Sequence, residues 1–158
     1  MDTKQLVLKR TLEAIKEKIS VDDLNDRLRL QKAIYLIQAA GADLGYRYSW
    51  YLKGPYSTAL TQDYFAVAEE LKSAHFDERT LGQAFEDKVV AAARVLKKPQ
   101  AVKLDTPFWY ELIASIHYLM KEERVKESNV FAIMQKRKAH LADFVSTGIQ
   151  HLRKHNLI

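Results

Sequence analysis

From Leu30 to Ala40 a helix would have almost no polar side to turn toward water, and this constrains the fold more than any other stretch. Leu30, Ala33, Ile34 and Ile37 recur at helical spacing and make one apolar face. Leu36, Ala39 and Ala40 widen that face, and Gln31, Tyr35 and Gln38 share the stripe that remains. Such a helix must be covered on most sides by other elements. Gly41 follows where a helix is expected to end, since glycine enters positive φ at no steric cost.

The period then changes from helical to two. Tyr46, Tyr48, Trp50 and Leu52 alternate with Arg47, Ser49, Tyr51 and Lys53, which predicts a strand with one packed and one wet face. Gly54-Pro55 is expected to stop it, because proline has no N–H to continue a ladder. Ser57 is the expected N-cap of a second helix with Leu60, Tyr64, Val67 and Leu71 inward.

The leucine-glutamine-lysine helix start (Leu30, Gln31, Lys32, with Tyr35) and the later run Trp50, Gly54, Pro55, Tyr56, Ser57 together resemble the YwgA-like bacterial proteins. More distantly they resemble the SocA-like, or Panacea, antitoxin domain. The resemblance implies a mainly helical or winged-helix-like domain that works by binding a protein, in some members a toxin.

The remaining chain reads as more helices. Asp2 and Gln5 form an expected capping box for the first helix, with Leu6, Leu12 and Ile15 inward. Ser20 is the expected N-cap of the central helix, with Ile19 and Leu24 as a hydrophobic staple. A helix over 78–97 carries Leu81, Phe85, Val89, Ala92 and Leu96 on one face, and Pro99 ends it. Residues 101–104 alternate briefly and could pair with the aromatic strand as a small wing. Thr106-Pro107 opens a helix whose two apolar sides, Phe108, Leu112, Ile116, Leu119 and Trp109, Ile113, Met120, place it in the core. Ser128 is the expected cap of a sixth helix. Leu141, Phe144, Val145, Ile149 and Leu152 line a last one. The expected fold is thus one domain, mainly α: a compact bundle of six to seven helices with one or two short strands, a winged-helix-like arrangement being one open form of it.

Composition narrows the function classes. Hydrophobic residues make up 47% of the chain, enough for a sizeable core, and no apolar run is long enough to span a bilayer. Cysteine is absent, so disulfides and thiolate metal sites are excluded, which fits a reducing cytosol. The first residues lack the apolar region of a signal peptide, and a cytoplasmic protein is expected. Nucleotide-binding glycine loops and a GxSxG elbow are missing, and neither Asp22-Asp23 nor Glu122-Glu123 has the geometry of an acid/base dyad. No catalytic residue, cofactor or metal site is assigned, and the expectation is a non-enzymatic protein. His117, on an apolar helix, is expected to be a hydrogen-bonded core residue, and His151 and His155 an exposed pair.

Two binding readings remain. In the first, a partner protein docks on the strand and turn. Arg47, Tyr51 and Lys53 make contact, Trp50 and Tyr56 anchor the segment, Gly54 and Pro55 set the turn, and Ser57 closes it. Family resemblance points to a toxin or defence effector as that partner. In the second, Arg47, Lys53, Ser57, Thr58, Thr61 and Gln62 contact DNA or RNA. No Lys or Arg lies from Pro55 to Leu71, however, which argues against that helix as a groove reader. The basic residues Lys136, Arg137, Lys138 and His140, and Arg153, Lys154 and His155, read as solvated helix ends, with an anion or nucleic-acid site as the less favoured alternative.

Overall fold

Leu30 to Ile37 are buried without a break, and the helix that carries them, α2 (Leu24–Ala39), is a wall shared by two hydrophobic cores. The structure is a computed structural model that describes all 158 residues. It contains seven α-helices and one two-stranded antiparallel hairpin. On one side, Leu30 and Ile34 meet Leu8 and Leu12 of α1 (Thr3–Ala14) and Leu60, Tyr64 and Val67 of α3 (Thr58–Glu70). On the other, Ala33, Leu36 and Ile37 meet Trp109, Leu112, Ile113 and Ile116 of α5 (Thr106–Lys121). That larger core is closed by α4 (Gln83–Ala92), α6 (Glu127–Arg137) and α7 (Val145–Lys154). Each fully buried leucine or isoleucine contributes about 1.5–3 kcal/mol over leaving it in water, so the faces of α2 decide which helices flank it. No helix is long and apolar enough to cross a membrane.

Several predicted ends are present. Asp2 and Gln5 make the reciprocal capping box of α1. Ser57 caps α3, its hydroxyl accepting the Leu60 N–H at 3.2 Å. Gly41 follows the last turn of α2 with φ +114°.

Other ends differ. Asp23, not Ser20, is the N-cap of α2, accepting the Asp26 N–H at 2.8 Å, and the Ser20 hydroxyl bonds the Asp26 carboxylate instead. The carboxylate nearest the first turn outcompetes the hydroxyl three residues back, and Leu24 is left exposed rather than stapled. Asp105 rather than Thr106 precedes α5, and Lys126 rather than Ser128 precedes α6, neither with a side-chain cap. The fourth helix is shorter than its apolar pattern suggests. It begins at Gln83 and tightens into a 3-10 turn over Ala93–Leu96.

The aromatic stretch departs most from expectation. Only Ser49–Tyr51 is a strand (β1), and its mate is Gly54–Tyr56 (β2), the segment expected to end it. Ser49 pairs with Tyr56, Trp50 with Pro55 and Tyr51 with Gly54, with Leu52 and Lys53 as the turn. Proline is tolerated because both strands of a two-stranded ribbon are edges. Residues 101–104 form no strand, and Val102 packs into the larger core. Leu52, expected on the packed face, is 79% exposed because the chain reverses there.

Gly54 makes the hairpin possible. Its φ is +91°, and a Cβ there would stand 2.5 Å from Ser115 Oγ on α5. Gly54→Ala is expected to lower stability by about 2–4 kcal/mol, combining left-handed strain with overpacking. In a Ser115→Ala background the same change should cost clearly less, since only the strain remains. Urea unfolding of the four proteins measures that coupling.

Candidate interaction site at the hairpin

A ribbon this short cannot hold itself in place, so the fastening of its main chain decides its shape. The fastening comes from below. The Gln31 amide donates to the Ser57 carbonyl at 2.8 Å and accepts the Ser57 N–H at 3.0 Å. Lys32 Nζ donates to the Pro55 carbonyl at 2.5 Å. Lys138 Nζ, just past α6, donates to the Leu52 carbonyl at 3.2 Å. Gln31 and Lys32, neighbours on α2, thus grip the Gly-Pro-Tyr-Ser segment directly. The two halves of the sequence pattern are one contact.

These lysines are buried, with relative exposures of 1% for Lys32 and 2% for Lys138. Their counter-charge is Glu111 of α5, fully buried, which accepts from Lys138 at 3.0 Å and lies 3.2 Å from His140 Nε2. One carboxylate faces two ammonium groups. Burial, and then the charge of Lys138, push Lys32 down to about 7, while Glu111 acts in the opposite sense. Burial also lowers Lys138, against the pull of Glu111.

The outward side is different. Tyr51 is 58% exposed and sits 5.4 Å from Tyr56, ring centroid to ring centroid. Leu52 stands free at the tip. Trp50 is half-buried against Tyr118 at 5.7 Å, with Arg137 and Lys138 each 5.4 Å from its ring. Lys53 is half-buried and near enough to Lys138 to disfavour its charge.

The predicted contact residues therefore divide. Tyr51, Tyr56 and Lys53 gather around the tip with Trp50 behind them. Gly54, Pro55 and Ser57 are buried and serve the fastening, so they offer no surface to a partner. Arg47 is exposed but lines a separate cleft of about 300 Å³, with Tyr35, Tyr48, His117, Tyr118 and Glu122. In that cleft the Tyr35 hydroxyl lies 2.7 Å from His117 Nδ1. Burial, with Lys121 adding to it, lowers His117 to about 4, so the ring is neutral and accepts from the phenol. This is the buried, hydrogen-bonded histidine the apolar helix predicts.

Of the residues considered for nucleic acid on α3, Thr58 and Gln62 are exposed. Ser57 is sealed as the cap. The Thr61 hydroxyl is spent on Tyr56 and on the Ser57 carbonyl, at 2.8 and 3.1 Å.

Three further expectations need correction or extension. Lys138 is no solvated helix-end charge, because Glu111 and the Leu52 carbonyl draw it inward. His151 is buried rather than exposed, and its Nε2–H donates to the Val95 carbonyl at 2.7 Å while its ring packs on Trp109. Glu111 and Ser115 carried no role in the sequence reading. The available signal was a lone glutamate, Glu111, in the apolar body of α5 and a lone lysine, Lys32, in the apolar run 30–40 of α2, a pattern that buried charges with partners produce. No three His, Asp or Glu side chains converge at metal-ligand spacing. No protein-family profile, curated protein or solved structure matches this chain.

The buried charges make two measurable predictions. Lys138→Met leaves Glu111 facing only Lys32 and an exposed histidine, and should destabilise the fold by about 3 kcal/mol in chemical denaturation. For Lys32, the unfolded chain keeps its proton up to about 10.5 and the folded chain loses it near about 7. Between those values the unfolded state binds more protons, so this residue makes stability rise with pH; below about 7 the cost of the buried ammonium is present in full. Unfolding measured from about pH 6 to about pH 9 should show the wild type gaining stability relative to Lys32→Met.

Proposed function

We propose that this chain is a non-enzymatic protein-interaction module that docks a partner on the tip of its hairpin. The observation that carries the reading is Tyr51 and Leu52, 58% and 79% exposed, held out on a base fixed by buried side-chain bonds to the main chain. An exposed apolar pair on a mobile loop would lose much of its binding energy to ordering. On a fastened turn that cost is already met. Tyrosine, a half-buried tryptophan behind it and nearby cations are the residue types that dominate binding hot spots.

The cations define the partner's chemistry. Lys53 lies beside the tip, Arg137 over Trp50 behind it, where it also pairs with Glu123 at 3.6 Å, and Arg47 on the separate cleft, so the fitting surface is an apolar pocket rimmed by carboxylates. Main-chain pairing contributes little, because β1 offers an edge of only three residues. The resemblance to the YwgA-like and SocA-like proteins supports a toxin or defence effector as the partner. Nucleic-acid contact through α3 is the weaker reading, since that helix has no cation and two of its polar groups are engaged inside the chain.

Tyr51→Ala with Leu52→Asp should change stability by no more than about 0.5 kcal/mol, both residues being exposed. It should remove the partner that co-purifies with the wild type from the source cell. Arg47→Glu with Lys53→Glu should weaken the same complex and reduce its salt dependence. Retention of every partner by both well-folded variants would discard the tip as the docking surface.

A further inference from the structure

A second surface carries charge of a single sign. The stretch Arg94–Gln100 and the C-terminal end of α7 face each other across a cleft of about 620 Å³. Arg94, Lys97 and Lys98 come from one wall and Lys154 from the other, with His151 and His155 also lining it. No carboxylate and no large aliphatic side chain lines this cleft, whose least polar members are Pro99 and the two imidazoles. Arg94, Lys97 and Lys154 are exposed and form no ion pair, whereas the adjacent Arg153 is paired with Glu127 at 2.5 Å. Lys98 donates to the Leu104 carbonyl. His155 is held below the ordinary imidazole range by partial burial first, and then by His151, Lys154 and Arg94 facing it. The walls are joined, because the His151 Nε2–H of α7 bonds the Val95 carbonyl of the 3-10 turn at 2.7 Å. The two walls that carry the cations therefore keep their spacing without a ligand.

A helix C-terminus favours cations, which accounts for Lys154 in the last turn of α7. The end of the 3-10 turn that follows α4 favours Arg94 and Lys97 in the same way, but neither helix end accounts for the two meeting with no carboxylate between them. Like charges brought together this way repel one another unless an anion joins them. The lining selects among anions. A membrane surface would be met by large apolar side chains inserting beside the cations, and the cleft has only Pro99. A free nucleotide would need an open flat surface for its base, and the two imidazoles are already engaged, His151 buried against Trp109 and His155 packed on His151. A phosphodiester backbone needs only cations at fixed spacing. We propose that this cleft binds the phosphate backbone of nucleic acid without reading its sequence. It shares no residue with the hairpin tip, and the two surfaces can be tested separately.

The test is fluorescence anisotropy with a labelled mixed-sequence 20-nucleotide strand and its duplex. The wild type is expected to bind at about 50 mM salt, with log affinity falling against log salt at a slope of about −2 to −3. Arg94→Glu/Lys97→Glu/Lys154→Glu should lose at least about tenfold in affinity and flatten that slope, with an unchanged thermal melt. If the triple variant melts early, Arg94→Gln and Lys97→Gln singly should each weaken binding by about two- to fivefold. Arg47→Glu/Lys53→Glu should bind the strand as the wild type does. The proposal is overturned if neither strand nor duplex binds at low salt. It is equally overturned if the cleft variants bind unchanged, or if only tripolyphosphate or phosphatidylserine vesicles bind and the oligonucleotides do not.

Discussion

Two strands of three residues satisfy few of their own main-chain groups, and the carbonyls they leave over must find donors inside the protein. Here the donors are an amide and two ammonium groups: Gln31 and Lys32 of α2, and Lys138 beyond α6. The rest of the structure depends on this contact. Bringing Lys138 inward requires Glu111 on α5, and closing β2 onto α5 requires a glycine over Ser115. Helices distant in sequence are thereby fastened to one hairpin, and loss of a single donor would strand a buried charge or carbonyl rather than remove one bond.

The contact also divides the ribbon into a fixed underside and a free tip. Gly54, Pro55 and Ser57 face inward and are spent on the fold. Tyr51 and Leu52 are what remains outside, and their position follows from the turn at Leu52-Lys53, because reversing the chain there turns Leu52 away from the face its alternation would assign. The net charge of +5 is likewise unevenly used. Two cations are consumed beneath the hairpin, a few surround its tip, and another group collects at the end of α7 with no carboxylate opposite it. Overall charge therefore says little about partners until each cation is placed.

Much of the helical frame was legible in the residues. The apolar width of α2 announced a helix covered on both sides, and it separates the two cores. The two apolar sides of α5 announced its central place, and Trp109 is fully buried there. The caps at Asp2 and Ser57 followed from local chemistry alone. Ser20 misled because a nearer carboxylate, Asp23, competed for the same N–H groups. The strand misled because alternation cannot show where a chain turns back, and because Gly-Pro reads as a stop when it can also begin the returning edge. Lys32, Glu111 and Lys138 were each visible but not as a set, since the partner of a charge lies tens of residues away and is chosen by packing.

Local sequence determined, by itself, which segments are helices, which faces they bury and where several of them begin, because periodicity and capping act over a few neighbouring residues. Tertiary structure alone decided which lysines go inside, which of the aromatic and basic side chains reach solvent, and what the Gly-Pro-Tyr-Ser segment is for. Those outcomes rest on desolvation and on hydrogen bonds between distant parts of the chain, and neither exists until the helices have come together.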